Sequence, residues 1–278
     1  MARSAEWTPE AIQRFWSYHS RGTELTYFSQ EYGGAILEIL RRSDVRIAGT
    51  RALDYGCGLG HLSERLISAG ALVSGVDASD GATGAANSRL QAYSGWLGAQ
   101  ASARPPAPFP DASFDLVTCV EVLEHLDDDG LAATLSDIRR LLKPASTSRA
   151  LFTTPNNERL TDHFTYCPFC DTEFHAVQHL RTFDQMSLQA TLENAGFQVT
   201  WCQGVSLLLF VPGFQSSMTR RPGLSANASR QILNLARIGW RARARLLSTW
   251  RKRQLDAYVR CGENLVALVA PGVNETVR

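Results

Sequence analysis

The sequence predicts an α/β fold, a mostly parallel sheet with helices on both faces, and three observations carry that prediction. Residues 51–79 (R-A-L-D-Y-G-C-G-L-G-H-L-S-E-R-L-I-S-A-G-A-L-V-S-G-V-D-A-S) read as strand, glycine loop, helix and strand, a βαβ unit. Residues 114–120 (F-D-L-V-T-C-V) are apolar almost throughout, as a central parallel strand buried on both faces should be, and a helix follows them. The 278 residues are 44% hydrophobic and 20% charged, enough apolar material for one large core with an added segment.

The glycine loop narrows what the βαβ unit binds. Its glycines, Gly56, Gly58 and Gly60, are spaced G-x-G-x-G, and His61 stands where the last glycine of a dinucleotide fingerprint would be. Lys-Ser or Lys-Thr does not follow, so a phosphate-cradling P-loop is excluded as well. Asp54 lies at the end of the first strand and Asp77 at the end of the second. This D-x-G-x-G-x-G pattern with a second acid resembles motif I of the class I S-adenosylmethionine-dependent methyltransferases, of the small-molecule, quinone-precursor branch. The resemblance implies a Rossmann-like sheet of seven strands with the last one antiparallel. It also implies that Asp54, Gly56, Cys57, Gly58, Gly60, Asp77 and Ala78 hold the cofactor. Glycine lets the backbone approach closely, and a carboxylate at position 77 can accept from both ribose hydroxyls.

In chain order, Thr8 caps a helix over residues 8–19, with Pro9 and Glu10 in its first turn. Apolar residues at helical spacing predict a second helix over 24–42. Together residues 1–44 form an N-terminal helical lid, with Trp16, Tyr18 and Tyr27 as candidates to close over the cofactor. The methyltransferase core runs over 45–202, with helices at 81–94, 131–142 and 184–195. Its further strands are 96–101, 114–120, 150–153 and 197–202. Relatives usually carry an acid after the strand 96–101; Gln100 and Ser102 stand there instead, and Ser102 is taken as the adenine contact. Val120 and Glu121 end the strand 114–120 and should line the cofactor, since ligands in open α/β sheets bind beyond the carboxyl ends of the strands. Residues 203–263 form a basic helical insertion, and 264–278 supply the last strand and a tail.

Methyl transfer needs a nucleophile held in line and relieved of its proton. At the sheet rim His125 and Glu121 are the candidate catalytic groups, with Glu124 and His163 as further base candidates. The stretch from Cys167 to His179 has the form C-x2-C-x4-H-x3-H. Cys167, Cys170, His175 and His179 are therefore the expected ligands of a closed structural zinc site, with the two histidines one turn apart on a helix. A second metal reading uses Glu121-x-x-Glu124-His125 with a later His such as His175 or His179. That set resembles the metal constellation of the small-RNA 3′-terminal 2′-O-methyltransferases. V-L-E-H also occurs in metal-independent small-molecule relatives.

Charge is unevenly spread. Residues 201–278 hold 12 Lys/Arg against 3 Asp/Glu, although the whole chain has a net charge of only +1. Within this part, residues 229–254 place Ile232, Leu235, Trp240, Leu247 and Trp250 on one helical side and Arg237, Arg241 and Arg245 on another. A basic amphipathic helix of this kind suits an anionic membrane surface or a lipid-linked acceptor better than nucleic acid. The N-terminal stretch has no apolar core of a secretory signal, and no run of about 18 apolar residues occurs, so a cytoplasmic protein with peripheral membrane contact is expected. The expected activity is transfer of a methyl group from S-adenosylmethionine to a small-molecule oxygen. Its alternatives are a metal-dependent RNA 2′-O-methyltransferase and a non-catalytic cofactor-binding or membrane-associated partner protein.

Overall fold

The computed structural model describes residues 3–20, 27–207 and 262–272. In chain order its elements are β1 (Arg3–Ser4), α1 (Pro9–His19), α2 (Phe28–Arg42), β2 (Arg51–Tyr55), α3 (His61–Ser68), β3 (Leu72–Asp77), α4 (Asp80–Leu90), β4 (Trp96–Ala101) and β5 (Leu116–Val120). They continue with α5 (Asp128–Leu141), β6 (Arg149–Pro155), β7 (Phe164–Cys167), β8 (Thr172–His175), α6 (Gln185–Asn194), β9 (Phe197–Val205) and β10 (Asn264–Pro271).

Seven strands form the main sheet in the order β4-β3-β2-β5-β6-β10-β9. The pairings from β4 through β6 are parallel, whereas β10 runs antiparallel to both β6 and β9. The seven-stranded, mostly parallel sheet with a reversed last strand is thus as expected. Strand β5 shows why the sheet must be covered twice. All five of its residues are buried, and successive side chains point to opposite faces. Val117 and Cys119 join the cluster built on α5 and α6 with Phe114, Ile138 and Leu188, whereas Leu116 and Val120 join Ile36, Leu40, Leu62 and Leu66 of α2 and α3.

Capping residues set the helix starts. Thr8 accepts from the Ala11 amide ahead of α1, and Asp127 caps α5 through the Gly130 amide. Asp184 and Ser187 form a capping box on α6. Helix α5 begins three residues before the position read from hydrophobic periodicity, because its first turn (Asp128, Asp129, Gly130) is polar and only the cap announces it. The basic segment 229–254 lies outside the described residues, as do positions 24–26 of the second predicted helix.

A second, three-stranded sheet was not foreseen. Strands β7 and β8 form an antiparallel hairpin, and β1 adds in parallel to β8, so the chain start is tied to the Cys/His segment. Among the described residues, no helix is long and apolar enough to cross a membrane.

Candidate cofactor and acceptor site

Strand order reverses between β2 and β5, because the chain leaves β2 toward β3 on one side and returns at β5 on the other. The glycine loop opens at this switch point, where a crevice is left beyond the strand ends. A cavity of about 630 Å³ occupies it, lined by Asp54, Gly56, Cys57, Gly58, Asp77 and Ala78 of the β2–α3 loop and β3 end, and by Val120, Glu121, His125 and His179.

The loop geometry explains its glycines. Gly56 has φ +79°, and a Cβ there would collide with Val122 Cγ2. Gly58 has φ +50°, and its missing Cβ would stand 3.0 Å from the Tyr27 ring. Asp77 organises the loop: its carboxylate accepts from the Gly58 amide and from the Ser79 amide, each at 2.9 Å. Burial raises its pKa, and the N–H groups of Ser79, Gly58 and Ala78 work in the opposite direction. A carboxylate offers about four acceptor positions, so two remain for the vicinal hydroxyls of a ribose. Asp54 is deeper. It accepts from Ser63 Oγ at 2.7 Å and Thr118 Oγ1 at 3.0 Å, and burial pushes it up to about 6. These residues fit a nucleoside cofactor with no phosphate to bind.

Ser102 does not face the cavity wall as the sequence reading expected. Its hydroxyl donates to the Arg104 carbonyl, and Ala103, Arg104 and Pro105 line the cavity instead. Gly60 has φ +77° and caps α3 against Leu90 and Ala86, so its part in the site is to start that helix. Of the lid aromatics, Trp16 and Tyr27 reach the cavity, while Tyr18 is 73% exposed.

The part of the cavity wall that follows β5 is rich in titratable groups. Glu121 sits at φ +53°, a backbone conformation unfavourable for a residue with Cβ. Its carboxylate accepts from Thr153 Oγ1 at 2.7 Å. Burial raises both Glu121 and Glu124 above the carboxylate range; the charge of Glu121 adds to the rise at Glu124, while Glu124 hydrogen-bonds Glu121 and works in the opposite direction there. His125 is pushed down to about 3 by burial, with His179 adding to the effect, so its ring is neutral at ordinary pH. Its Nδ1 donates to the Gln178 carbonyl at 3.3 Å. Gln178 Nε2 donates to the His125 carbonyl and Trp16 Nε1 donates to Gln178 Oε1, both at 2.9 Å. Helix α1 is therefore joined to the rim through one fully buried glutamine.

The structure separates the four expected zinc ligands. In the hairpin register Cys167 faces Thr172 and His175 faces Phe164, so the cysteines and His175 stand at opposite ends of a four-residue ladder. Three residue steps along a strand are roughly 10 Å, too far to share an ion. His175 ends a strand and a turn follows with Gln178 at φ +63°, so the two histidines are not on a helix. Their rings stack at 4.5 Å, and Glu158 lies against both. The Cys167 thiol is held below its ordinary range by the backbone N–H groups of Cys170 and Phe169, the local geometry of a Cys-x2-Cys turn. A closed Cys2His2 site is therefore not what this segment builds. His163, another base candidate, lies on the exposed side of His175.

Two groups were missed in sequence. Glu158 follows the T-P-N-N run at the exit of β6, and that exit pointed to the rim without marking the acid. Gln178 stands between the two histidines of a motif whose spacing drew attention to its neighbours.

The fold, the glycine loop and its two aspartates define a class I S-adenosylmethionine-dependent methyltransferase. A family model described as "Methyltransferase domain" matches residues 27–201, and the chain belongs to that family. It is 40% identical over 113 residues to a ubiquinone biosynthesis O-methyltransferase of Aromatoleum aromaticum; the match covers 40% of this chain and 46% of that one. With a probable S-adenosylmethionine-dependent methyltransferase of Mycolicibacterium smegmatis it shares 30% identity over 167 residues, 60% of this chain and 59% of the other. The chain thus spans about half the length of these curated relatives. Among solved structures it is similar to magnesium protoporphyrin IX methyltransferase from Synechocystis with bound SAH, with a TM-score of 0.51 and 18% identity over 70% of this chain and 92% of that one.

Proposed function

We propose that this chain transfers the methyl group of S-adenosylmethionine to an oxygen of a small acceptor, a phenol-like ring hydroxyl being the class its relatives' names favour. One observation carries the reading. A single cavity joins the Asp77-ordered glycine loop to a rim of Glu121, His125 and His179, so cofactor and acceptor have one continuous space. The bound cofactor supplies an activated methyl on a sulfonium, which leaves as a neutral thioether when the carbon–oxygen bond forms. What remains for the chain is to place the acceptor oxygen in line and to take its proton.

Glu121 is the group we assign to the proton. It lines the cavity, and Thr153 Oγ1 fixes its Oε1, leaving Oε2 for the acceptor. Trp16 and Tyr27 line the same cavity and offer aromatic faces to the cofactor and acceptor. On this reading the basic segment 229–254 brings the enzyme to an anionic membrane where a lipid-linked acceptor resides, with the body of the protein in the cytoplasm.

The test incubates the full chain with labelled S-adenosylmethionine and a panel of phenolic, sugar and lipid-linked hydroxyl acceptors. Label should appear in at least one acceptor, and Glu121→Gln should lower kcat by about 10²-fold or more while cofactor affinity is kept. Tight cofactor binding with no transfer to any member would instead favour a cofactor-binding scaffold.

A further inference from the structure

The chain has six cysteines, and those among the described residues fall into two groups. Cys57, Cys119 and Cys202 are buried in the core, and burial pushes each thiol up, so they are poor nucleophiles. Cys167 and Cys170 are of another kind. They flank Pro168 and Phe169 in the turn of the β7–β8 hairpin, Cys170 exposed and Cys167 half-buried, and they are not joined in a disulfide. Phe169, between them, is 97% exposed, so an incoming molecule reaches the turn without unfolding anything.

The turn geometry prepares the pair for one kind of chemistry. The backbone N–H groups of Cys170 and Phe169 and the Cys170 thiol all turn onto Cys167 Sγ, and donors so placed favour a thiolate, the attacking form. The ends of a four-residue turn lie within about 7 Å of each other, close to the Cα separation a disulfide needs. The hairpin also reaches the cavity. Thr172 donates its hydroxyl to the Cys170 carbonyl at 3.1 Å. Thr172 and Glu173 pair with Arg3 and Ser4 of β1, and the Ala5 amide donates to the Glu173 carbonyl at 3.0 Å. Trp7 then packs on Phe174 and Phe15, with ring centroids 6.1 and 5.4 Å away, and Phe15 packs on Trp16 at 5.2 Å. Trp16 lines the cavity.

We propose that Cys167 and Cys170 are a reversible dithiol–disulfide pair that reacts with low-molecular-weight disulfides of the glutathione class, and that its oxidation loosens the seat of α1 at the cavity. The Cys167 thiolate attacks one sulfur of the small disulfide; that S–S bond breaks, and one small thiolate leaves and takes up a proton. Cys170, giving its proton to solvent, then attacks Cys167 Sγ in the mixed disulfide and expels the second small thiolate. Two cysteine thiols are oxidised, one small disulfide is reduced to two thiols, and a small dithiol reverses the sequence. Closing the bridge redraws the turn beside Thr172, the residue at which β1 is held.

The test treats full-length reduced protein with glutathione disulfide and locates the products by peptide mapping, with no acceptor present, so its outcome is separate from that of the methyl-transfer reading. Wild type should form a bridge between residues 167 and 170 that dithiothreitol reverses. Cys170→Ser should stop at a mixed disulfide on Cys167, and Cys167→Ser should react at Cys170 about 10-fold more slowly or less. S-adenosylhomocysteine should bind the oxidised wild type about 5-fold more weakly or worse, and its affinity for Cys167→Ser with Cys170→Ser should ignore the oxidant. Melting curves check the fold of each variant, and alanine replaces any serine that fails. Four results would overturn the proposal: no bridge at any excess of disulfide, a bridge to Cys261 instead, thiols that react only after a chelator removes a bound zinc ion, or equal S-adenosylhomocysteine affinity in the two redox states.

Discussion

At the scale of single residues, the cofactor end is governed by buried carboxylates held in place by different donors. Asp54 gives a measurable consequence. Its pKa is about 6 in the folded protein against an ordinary 3.8, so the folded state holds this proton more tightly than the unfolded chain. The stability tied to it is complete below about pH 4 and is lost as pH rises toward 6. Asp54→Asn lacks that slope. Melting curves of the two proteins should therefore diverge in favour of the variant between about pH 4 and 6.5, by an amount on the order of 3 kcal/mol. A difference that stays constant across that range would show the carboxylate to be solvated. Asp54, Asp77 and the three loop glycines were legible in the sequence because their roles are local: each acts within a few residues of a strand end. Glu158 was not legible, because what it does depends on two histidines that reach it from another loop.

At the scale of elements, the β7–β8 hairpin shows how a spacing can mislead. C-x2-C-x4-H-x3-H satisfies a zinc pattern if the histidines lie on a helix, whereas an extended β8 moves His175 away from the cysteines and toward Glu158. The pairing of β1 with β8 was equally invisible, since two residues at the start of the chain carry no periodicity of their own. The α1 cap, by contrast, was read correctly from Thr8, Pro9 and Glu10. The contact of α1 with the rim can be tested through Trp16. Trp16→Phe keeps most of the apolar surface but leaves Gln178 Oε1 without its donor, at a cost of about 1–3 kcal/mol. The variant should melt lower and bind S-adenosylhomocysteine more weakly. If both are unchanged, α1 rests on the core without holding the rim.

At the scale of the whole molecule, the sheet and the family membership account for residues 27–205 and 264–271, and 229–254 is a strongly basic stretch of sequence outside the described residues. If that segment meets anionic membranes, the protein should co-sediment with phosphatidylglycerol vesicles at low salt, be released at high salt, and ignore neutral vesicles. Retention on neutral vesicles would point to apolar contact instead, and absence from all of them would remove the membrane from the acceptor's description.

The buried Gln178 has a wider meaning in this setting. It takes a hydrogen bond from Trp16 of the lid and exchanges two with His125 of the rim. Helix α1 and the rim are thereby physically connected through one side chain. If binding of the methyl donor depends on the position of α1, then any ligand at His125 is coupled to it through this glutamine, and the coupling is equal in both directions because linkage is reciprocal. A variant that breaks the Trp16–Gln178 bond should then change donor and acceptor affinity by the same coupling factor.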